Sequence, residues 1–133
     1  MTASWCYGEA GIALSRLRAR EILGPGPHGS DADIAVQTTR RHIDARLQFA
    51  IDDLSLCHGA AGAADVLLSA GEVDTAAAVG RVAFERHREA GDWPCGVHGT
   101  TPGLFRGLTG IAWLLLRLHE PRIPSPLALP TGG

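Results

Sequence analysis

The chain has 133 residues, of which 45% are hydrophobic and 20% are charged, and its formal net charge is −2. This length predicts one domain, and the nearly balanced charge gives no indication of a nucleic-acid partner or of attachment to a membrane surface. The longest apolar run, residues 111–116, is far too short to span a bilayer, and the first residues show no signal segment. We therefore expect a cytoplasmic protein.

Five helices are predicted from apolar periodicity and from the glycines and prolines that interrupt it. In chain order they cover residues 9–23, about 31–50, 59–70, 75–90 and about 104–119. Ser30 is expected to cap the second helix after the Gly-Pro-rich segment 24–29. In the fourth helix, four apolar residues are expected to face inward: Val79, Val82, Ala83 and Phe84. No stretch alternates as a β-strand does, so the predicted fold class is all-α.

A Gly-x-x-Gly motif opens three of these helices, at Gly8, Gly59 and Gly107. The spacings are 51 residues (59 − 8) and 48 residues (107 − 59), and each period holds one apolar helix and one more charged helix. A period near 50 residues with two helices is typical of a two-layer helical repeat. We expect the apolar helices in the inner layer, the charged helices in the outer layer, and the glycine loops at one rim.

The rim brings together the residues that suit a metal ion. Cys6 precedes the first glycine motif, and Cys57 and His58 directly precede the second. Thiolate and imidazole groups are preferred ligands of zinc, so these three residues are predicted to hold one Zn²⁺ ion. Two alternatives stay open: Cys6 is a small buried side chain beside Trp5, or Cys6 and Cys57 form a disulfide, which a reducing compartment disfavours.

Several segments resemble the lanthipeptide cyclase (LanC-like) family, most closely the C-terminal cyclase domain of the class II (LanM-type) lanthipeptide synthetases. The matching segments are residues 4–14, 55–59, 93–97, 101–111 and the ending at 123–127. They occur in the family's order and cover nearly the whole chain. Trp-Cys-x-Gly followed by Cys-His-Gly at this spacing is a specific signal, whereas either motif alone would be weak.

The resemblance implies an α/α toroid, of which residues 1–133 are the C-terminal part, with about two and a half helix pairs and the upstream repeats absent. It implies that Cys6, Cys57 and His58 are the zinc ligands. The implied reaction adds a cysteine of a dehydrated precursor peptide to a dehydroalanine or dehydrobutyrine, which gives lanthionine or methyllanthionine. The family also uses a histidine upstream of the first zinc ligand, and this chain does not contain it.

Four further residues are candidates around the implied site. Cys95 is a possible fourth ligand, although a buried cysteine of the loop is the favoured interpretation. His98, three residues later, is a candidate proton donor, with an exposed loop histidine as the alternative. Tyr7 and Arg106 stand beside their glycine motifs and are candidates for contact with the peptide or the enolate, with local packing or a solvated position as alternatives.

Three functions remain open at this point. The first is the zinc-bearing part of a thioether-forming cyclase, and the second is a truncated, non-catalytic fragment that binds zinc and peptide. The third is another zinc-thiolate alkylating enzyme related to prenyltransferases, against which the Cys-His pair argues. Because the first inner helix has no outer helix before it, the chain is expected to associate with the N-terminal part of a synthetase or with other copies of itself.

Overall fold

The computed structural model describes residues 3–49, 51–96 and 99–128. Its five helices are α1 (Glu9–Leu23), α2 (Pro27–Arg46), α3 (Ala60–Ser69), α4 (Val73–Ala90) and α5 (Leu108–His119). The described residues contain no β-strand, and one isolated antiparallel bridge joins Asp53 to Cys95. None of the helices in these ranges is long and apolar enough to cross a membrane. The all-α prediction is confirmed.

The start of α2 was predicted wrongly. The helix begins at Pro27, within the segment expected to separate the first two helices. A proline is well suited to the first helical position because its ring fixes φ near the helical value and the missing N–H has no partner to lose there. Ser30 is therefore inside the helix, where its hydroxyl donates to the carbonyl of Pro27 at 2.9 Å, and it does not cap it. The helix ends at Arg46, and Ala50 lies outside the described residues.

The helices pack in two layers, as the repeat predicts. The inner helices α1, α3 and α5 lie side by side with α3 in the middle, and the outer helices α2 and α4 contact each other. The most extensive contacts join α1 to α2 and α3 to α4, which follow each other in the chain. Helix α3 contacts all four other helices, so it is the centre of the described arc.

The composition of α3 explains its central position. Its first eight residues are all buried, and four of them are alanine and one is glycine. Small side chains let neighbouring helices approach on every side, which a helix with one apolar stripe does not permit. In α4, by contrast, Val79 and Ala83 are buried while Phe84 is 57% exposed, so the expectation that Phe84 faces inward is wrong. Phe84 is one residue past the buried face, and its side chain points out of the core.

A buried ion pair joins α5 to α3. Asp65 has no exposed surface and Arg117 is 5% exposed, and the guanidinium donates to the Asp65 carboxylate. The hydroxyl of Ser125 donates to the same carboxylate, and Arg117 Nε donates to the carbonyl of Ile123 at 2.9 Å. The segment after α5 is therefore held against α3 and α5 by hydrogen bonds, and the charges compensate each other inside the core.

Candidate metal centre

Each inner helix is preceded by a turn of the same form. We call residues 5–8 the first turn, residues 56–59 the second turn and residues 104–107 the third turn. The last residue of each is the N-cap glycine of its helix, namely Gly8, Gly59 or Gly107, and none of the helices has a side-chain cap. The two middle residues of each turn therefore lie at the same end of the inner layer. They are Cys6 and Tyr7, Cys57 and His58, and Phe105 and Arg106.

The second glycine of each motif, in the first turn of the helix, lets the backbone of the preceding turn pack directly against the helix. A Cβ on Gly11, Gly62 or Gly110 would lie under 3.0 Å from the carbonyl oxygen of the residue six positions earlier. Those residues open the respective turns and are Trp5, Leu56 and Leu104. Any side chain at the second glycine would push this backbone away. The Gly-x-x-Gly repeat is thus a requirement of close backbone packing.

The three turns are also hydrogen-bonded to one another through equivalent residues. The N–H of Cys6 donates to the carbonyl of Cys57 at 3.4 Å, and the N–H of Cys57 donates to the carbonyl of Phe105 at 2.8 Å. Each bonded residue is the second of its turn. The turns therefore lie side by side in chain order, which fixes the first cysteine beside the second although 51 residues separate them.

This arrangement gathers the three predicted metal ligands. The ligand atoms of Cys6, Cys57 and His58 all lie within 4.8 Å of one another. Cys6 is exposed, while Cys57 and His58 are partly buried, so the group opens to solvent on one side. Both cysteines are free thiols in the structure, which does not contain the alternative disulfide.

The surroundings of Cys57 favour its protonated form when no metal is bound. Burial, together with the hydrogen bond and charge interaction with Cys6, raises the pKa of the Cys57 thiol to about 11. The carboxylate of Asp53 adds to this rise in pKa, and the positive charge of Arg106 opposes it. A positive ion placed between the thiols would reverse this balance, because it stabilises both thiolates at once.

Asp53 supports the second turn, a role that was not predicted from the sequence. Its carboxylate accepts a hydrogen bond from the N–H of Ser55 at 2.7 Å, and its carbonyl accepts one from the N–H of Ala60 at 2.9 Å. Ser55 Oγ in turn accepts from the N–H of His58 at 3.3 Å. An aspartate followed two residues later by a serine is a typical local turn pattern, and that signal was present in the sequence.

Cys95 lies behind the second turn and outside the group of three ligands. It is 3% exposed, and its thiol donates to the carbonyl of Trp93 at 3.4 Å. Burial is the main reason that the pKa of the Cys95 thiol is raised, and the nearby Asp53 carboxylate adds to it. The N–H of Leu54 donates to the carbonyl of Pro94 at 2.8 Å, so this loop braces the second turn. His98 lies outside the described residues.

Aromatic and charged side chains flank the group. Tyr7 is 69% exposed, with its ring centroid 5.6 Å from that of His58. The ring of Trp5 stacks on that of Phe105 with centroids 5.6 Å apart, which joins the first turn to the third. Arg106 is exposed beside Cys57, close enough to lower the pKa of its thiol. The contact of Phe105 with Trp5 was not predicted from the sequence.

Comparison with protein families agrees with the fold and with this gathering of residues. The family described as lanthionine synthetase C-like protein matches residues 1–129. Searches among curated proteins and among solved structures gave no match. The family match includes all five helices and all three turns, so the all-helical two-layer arrangement and the Cys/His group both lie within it. The chain therefore belongs to the lanthionine synthetase C-like family.

Proposed function

We propose that Cys6, Cys57 and His58 bind one zinc ion and that the chain acts in thioether formation on a dehydrated precursor peptide. The observation that carries the proposal is the approach of two thiols and one imidazole, from two repeats, to within 4.8 Å of one another. Two thiolates and an imidazole are a donor set that zinc prefers, and three protein ligands leave one position open for a substrate group. Membership of the family supports the same reaction.

The proposed reaction joins two residues of the peptide without any oxidant. The thiol sulfur of a peptide cysteine forms a bond to the β-carbon of dehydroalanine or dehydrobutyrine, and the electron pair of the double bond moves toward the carbonyl. The thiol loses one proton and the α-carbon gains one, so the product is an isomer of the substrate. Zinc, when bound, would make a coordinated thiol a thiolate at neutral pH.

The residues around the group have separate proposed roles. Cys6 is exposed, which leaves an approach for a peptide thiol from the solvent side. In this proposal Arg106 stabilises the negative charge that develops on the peptide carbonyl and Tyr7 donates a hydrogen bond to it; the exposure of both side chains supports these roles. His98 stays a predicted proton donor. The class II synthetase context and a cytoplasmic location belong to the same proposal.

The metal is tested by the zinc content of the purified chain. We expect about one zinc per chain, as a single site with three protein ligands requires. Cys57→Ala and His58→Ala should lower zinc affinity by more than about 100-fold, because losing even an outer partner of a ligand costs 10–100-fold. Cys95→Ala is the matched control, since it removes a cysteine that lies outside the group of three ligands. Folded chain without zinc would overturn the proposal.

The reaction is tested with a peptide that carries one cysteine and one dehydroalanine. Because ring formation leaves the mass unchanged, the readout is the loss of a thiol that iodoacetamide can alkylate, measured by mass spectrometry. We expect the alkylatable thiol to disappear with the native chain and to persist with Cys57→Ala. Zinc and peptide binding with no loss of thiol would instead support the non-catalytic peptide-binding alternative.

A further inference from the structure

The carboxylate of Asp53 lies between two stretches of backbone that approach it closely. A Cβ built on Gly59 would be 2.6 Å from Oδ1 of Asp53, and one built on Gly96 would be 2.7 Å from Oδ2. Side chains do not tolerate such distances, and Gly96 also has a φ of +64°, which other residues rarely adopt. The carboxylate therefore packs against the backbone at both glycines, and its place has no room for a longer side chain.

The backbone around Asp53 is fixed by contacts that its side chain does not make. The carbonyl of Ile51 accepts a hydrogen bond from the guanidinium of Arg86 in α4 at 2.9 Å, and the N–H of Leu54 donates to the carbonyl of Pro94 at 2.8 Å. Ile51 and Leu54 are both buried in the core. Because these contacts hold the segment on both sides of Asp53, changing the carboxylate should leave the backbone of the segment in place.

Two hydrogen bonds connect this carboxylate to the backbone of a predicted ligand. Oδ1 of Asp53 accepts from the N–H of Ser55 at 2.7 Å, and Oγ of Ser55 accepts from the N–H of His58 at 3.3 Å. The negative charge of Asp53 also reaches Cys57, because it adds to the rise in the pKa of that thiol. Asp53 is not in the group whose ligand atoms lie within 4.8 Å of one another, so it acts on the ligands through the second turn.

We propose that Asp53 is a positioning residue for the metal centre, which holds Cys57 and His58 in the relative orientation that lets both bind one ion. This role depends on the proposed zinc site. Groups outside the ligand set orient the ligands and thereby contribute to metal affinity. Asp53 acts by the place of its oxygen atom. Asparagine, which keeps an acceptor at that place, should replace it, whereas glutamate, which keeps the charge on a longer side chain, should not.

The test is the zinc affinity of the full chain, measured by competition with a chelating dye at a temperature where circular dichroism shows every variant folded. We expect Asp53→Ala and Asp53→Glu to weaken zinc binding about 10–100-fold, the usual cost of losing an outer partner of a ligand. Asp53→Asn should keep nearly the native affinity. Asp52→Asn is the matched control, because it removes the same charge one residue earlier from a side chain that is 86% exposed. If Asp53→Glu does not fold, the Ala and Asn variants decide.

The visible spectrum of the chain loaded with Co²⁺ separates positioning from a purely structural role, because its bands report the geometry of the ligands. At saturating Co²⁺, native chain and Asp53→Asn should share one spectrum, and Asp53→Ala should show weaker or shifted bands. A lower urea midpoint with unchanged affinity and spectrum would overturn the positioning role.

The Asn and Glu variants separate place from charge. Weak zinc binding in Asp53→Asn with native affinity in Asp53→Glu would assign the effect to charge and would also overturn the positioning role. A native chain that binds no zinc would overturn the proposed function together with this role. Zinc bound equally by native chain and Asp53→Ala would overturn this role alone.

Discussion

The second and third turns place the same backbone ahead of neighbouring inner helices, but of these two only the second turn carries proposed metal ligands. Cys57 and His58 occupy its middle positions, and Phe105 and Arg106 occupy the same positions in the third turn. In both turns these two residues are more exposed than the glycine that follows them. The chemistry of a repeat can therefore change at its two middle residues while the glycines and the preceding apolar residue keep the fold.

The third turn still contributes to the site. The carbonyl of Phe105 fixes the N–H of Cys57, its ring stacks on Trp5, and the charge of Arg106 lowers the pKa of the Cys57 thiol. The second turn thus supplies proposed ligands, whereas the third turn supplies residues that position and charge the site. This difference also predicts which changes should damage the shared frame and which should alter the second turn alone.

The largest expected loss of stability comes from breaking the ion pair that joins α5 to α3. Asp65→Ala removes the partner of buried Arg117, and an uncompensated buried charge costs about 3–5 kcal/mol of unfolding free energy. Urea unfolding measures it. Glu72→Ala is the control, because its pair with Arg40 is partly exposed and contributes at most about 1 kcal/mol. Equal midpoints for the two variants would contradict the importance of the buried pair.

The next effect concerns the frame that the turns share. Gly62→Ala should cost about 2–3 kcal/mol, because the new methyl group would overlap the carbonyl of Leu56, and Gly110→Ala should behave similarly. Gly29→Ala is the matched control, since Gly29 is also the third residue of its helix but has its nearest neighbour, Arg20 Cδ, at 3.7 Å. That variant should gain up to about 1 kcal/mol. An unchanged free energy of unfolding in Gly110→Ala would mean that the third turn does not depend on close packing of its backbone against α5.

The smallest effect is confined to one thiol of the second turn. In the metal-free chain the pKa of Cys57 is raised to about 11, so the thiol is protonated at neutral pH and its reactive thiolate increases about tenfold per pH unit up to that value. We expect alkylation of Cys57, followed by mass spectrometry, to be slow at pH 7 and to accelerate accordingly. Arg106→Ala should slow it and Cys6→Ala should speed it, because these residues lower and raise the pKa. Equal alkylation rates of Cys57 in the two variants would contradict the opposite effects of Arg106 and Cys6 on its pKa.

Much of the helix arrangement was predictable because repeated glycines and alanines in the sequence indicate where helices and turns pack closely. The range predicted for α1 is that of the structure, and the repeat of Gly-x-x-Gly indicated the two layers and the placing of Cys6 beside Cys57. The start of α2 was missed because a Gly-Pro segment reads as an interruption, whereas its second proline is a good first helical residue. Phe84 was misplaced because periodicity in a mixed helix does not fix the buried face to within one residue.

The side-chain contacts were less predictable, since they join residues distant in sequence. Asp65 stood out only as one acidic residue in an otherwise apolar helix, and nothing local indicates that its partner is Arg117, 52 residues later. The stacking of Trp5 on Phe105 likewise depends on the turns being adjacent in space. Such pairs follow from the register of the repeats, which the sequence indicates to within a residue or two and the structure defines.

The hydrogen bonds between the turns have a consequence for the order of folding. The pairs α1–α2 and α3–α4 are formed by neighbours in the chain, so they close short loops, whereas the bond from Cys6 to Cys57 closes a loop of about 50 residues at a greater loss of chain entropy. Contacts of this kind form late. We therefore expect a newly made chain to complete its helix pairs first and to bring its two rim cysteines together only as the pairs dock.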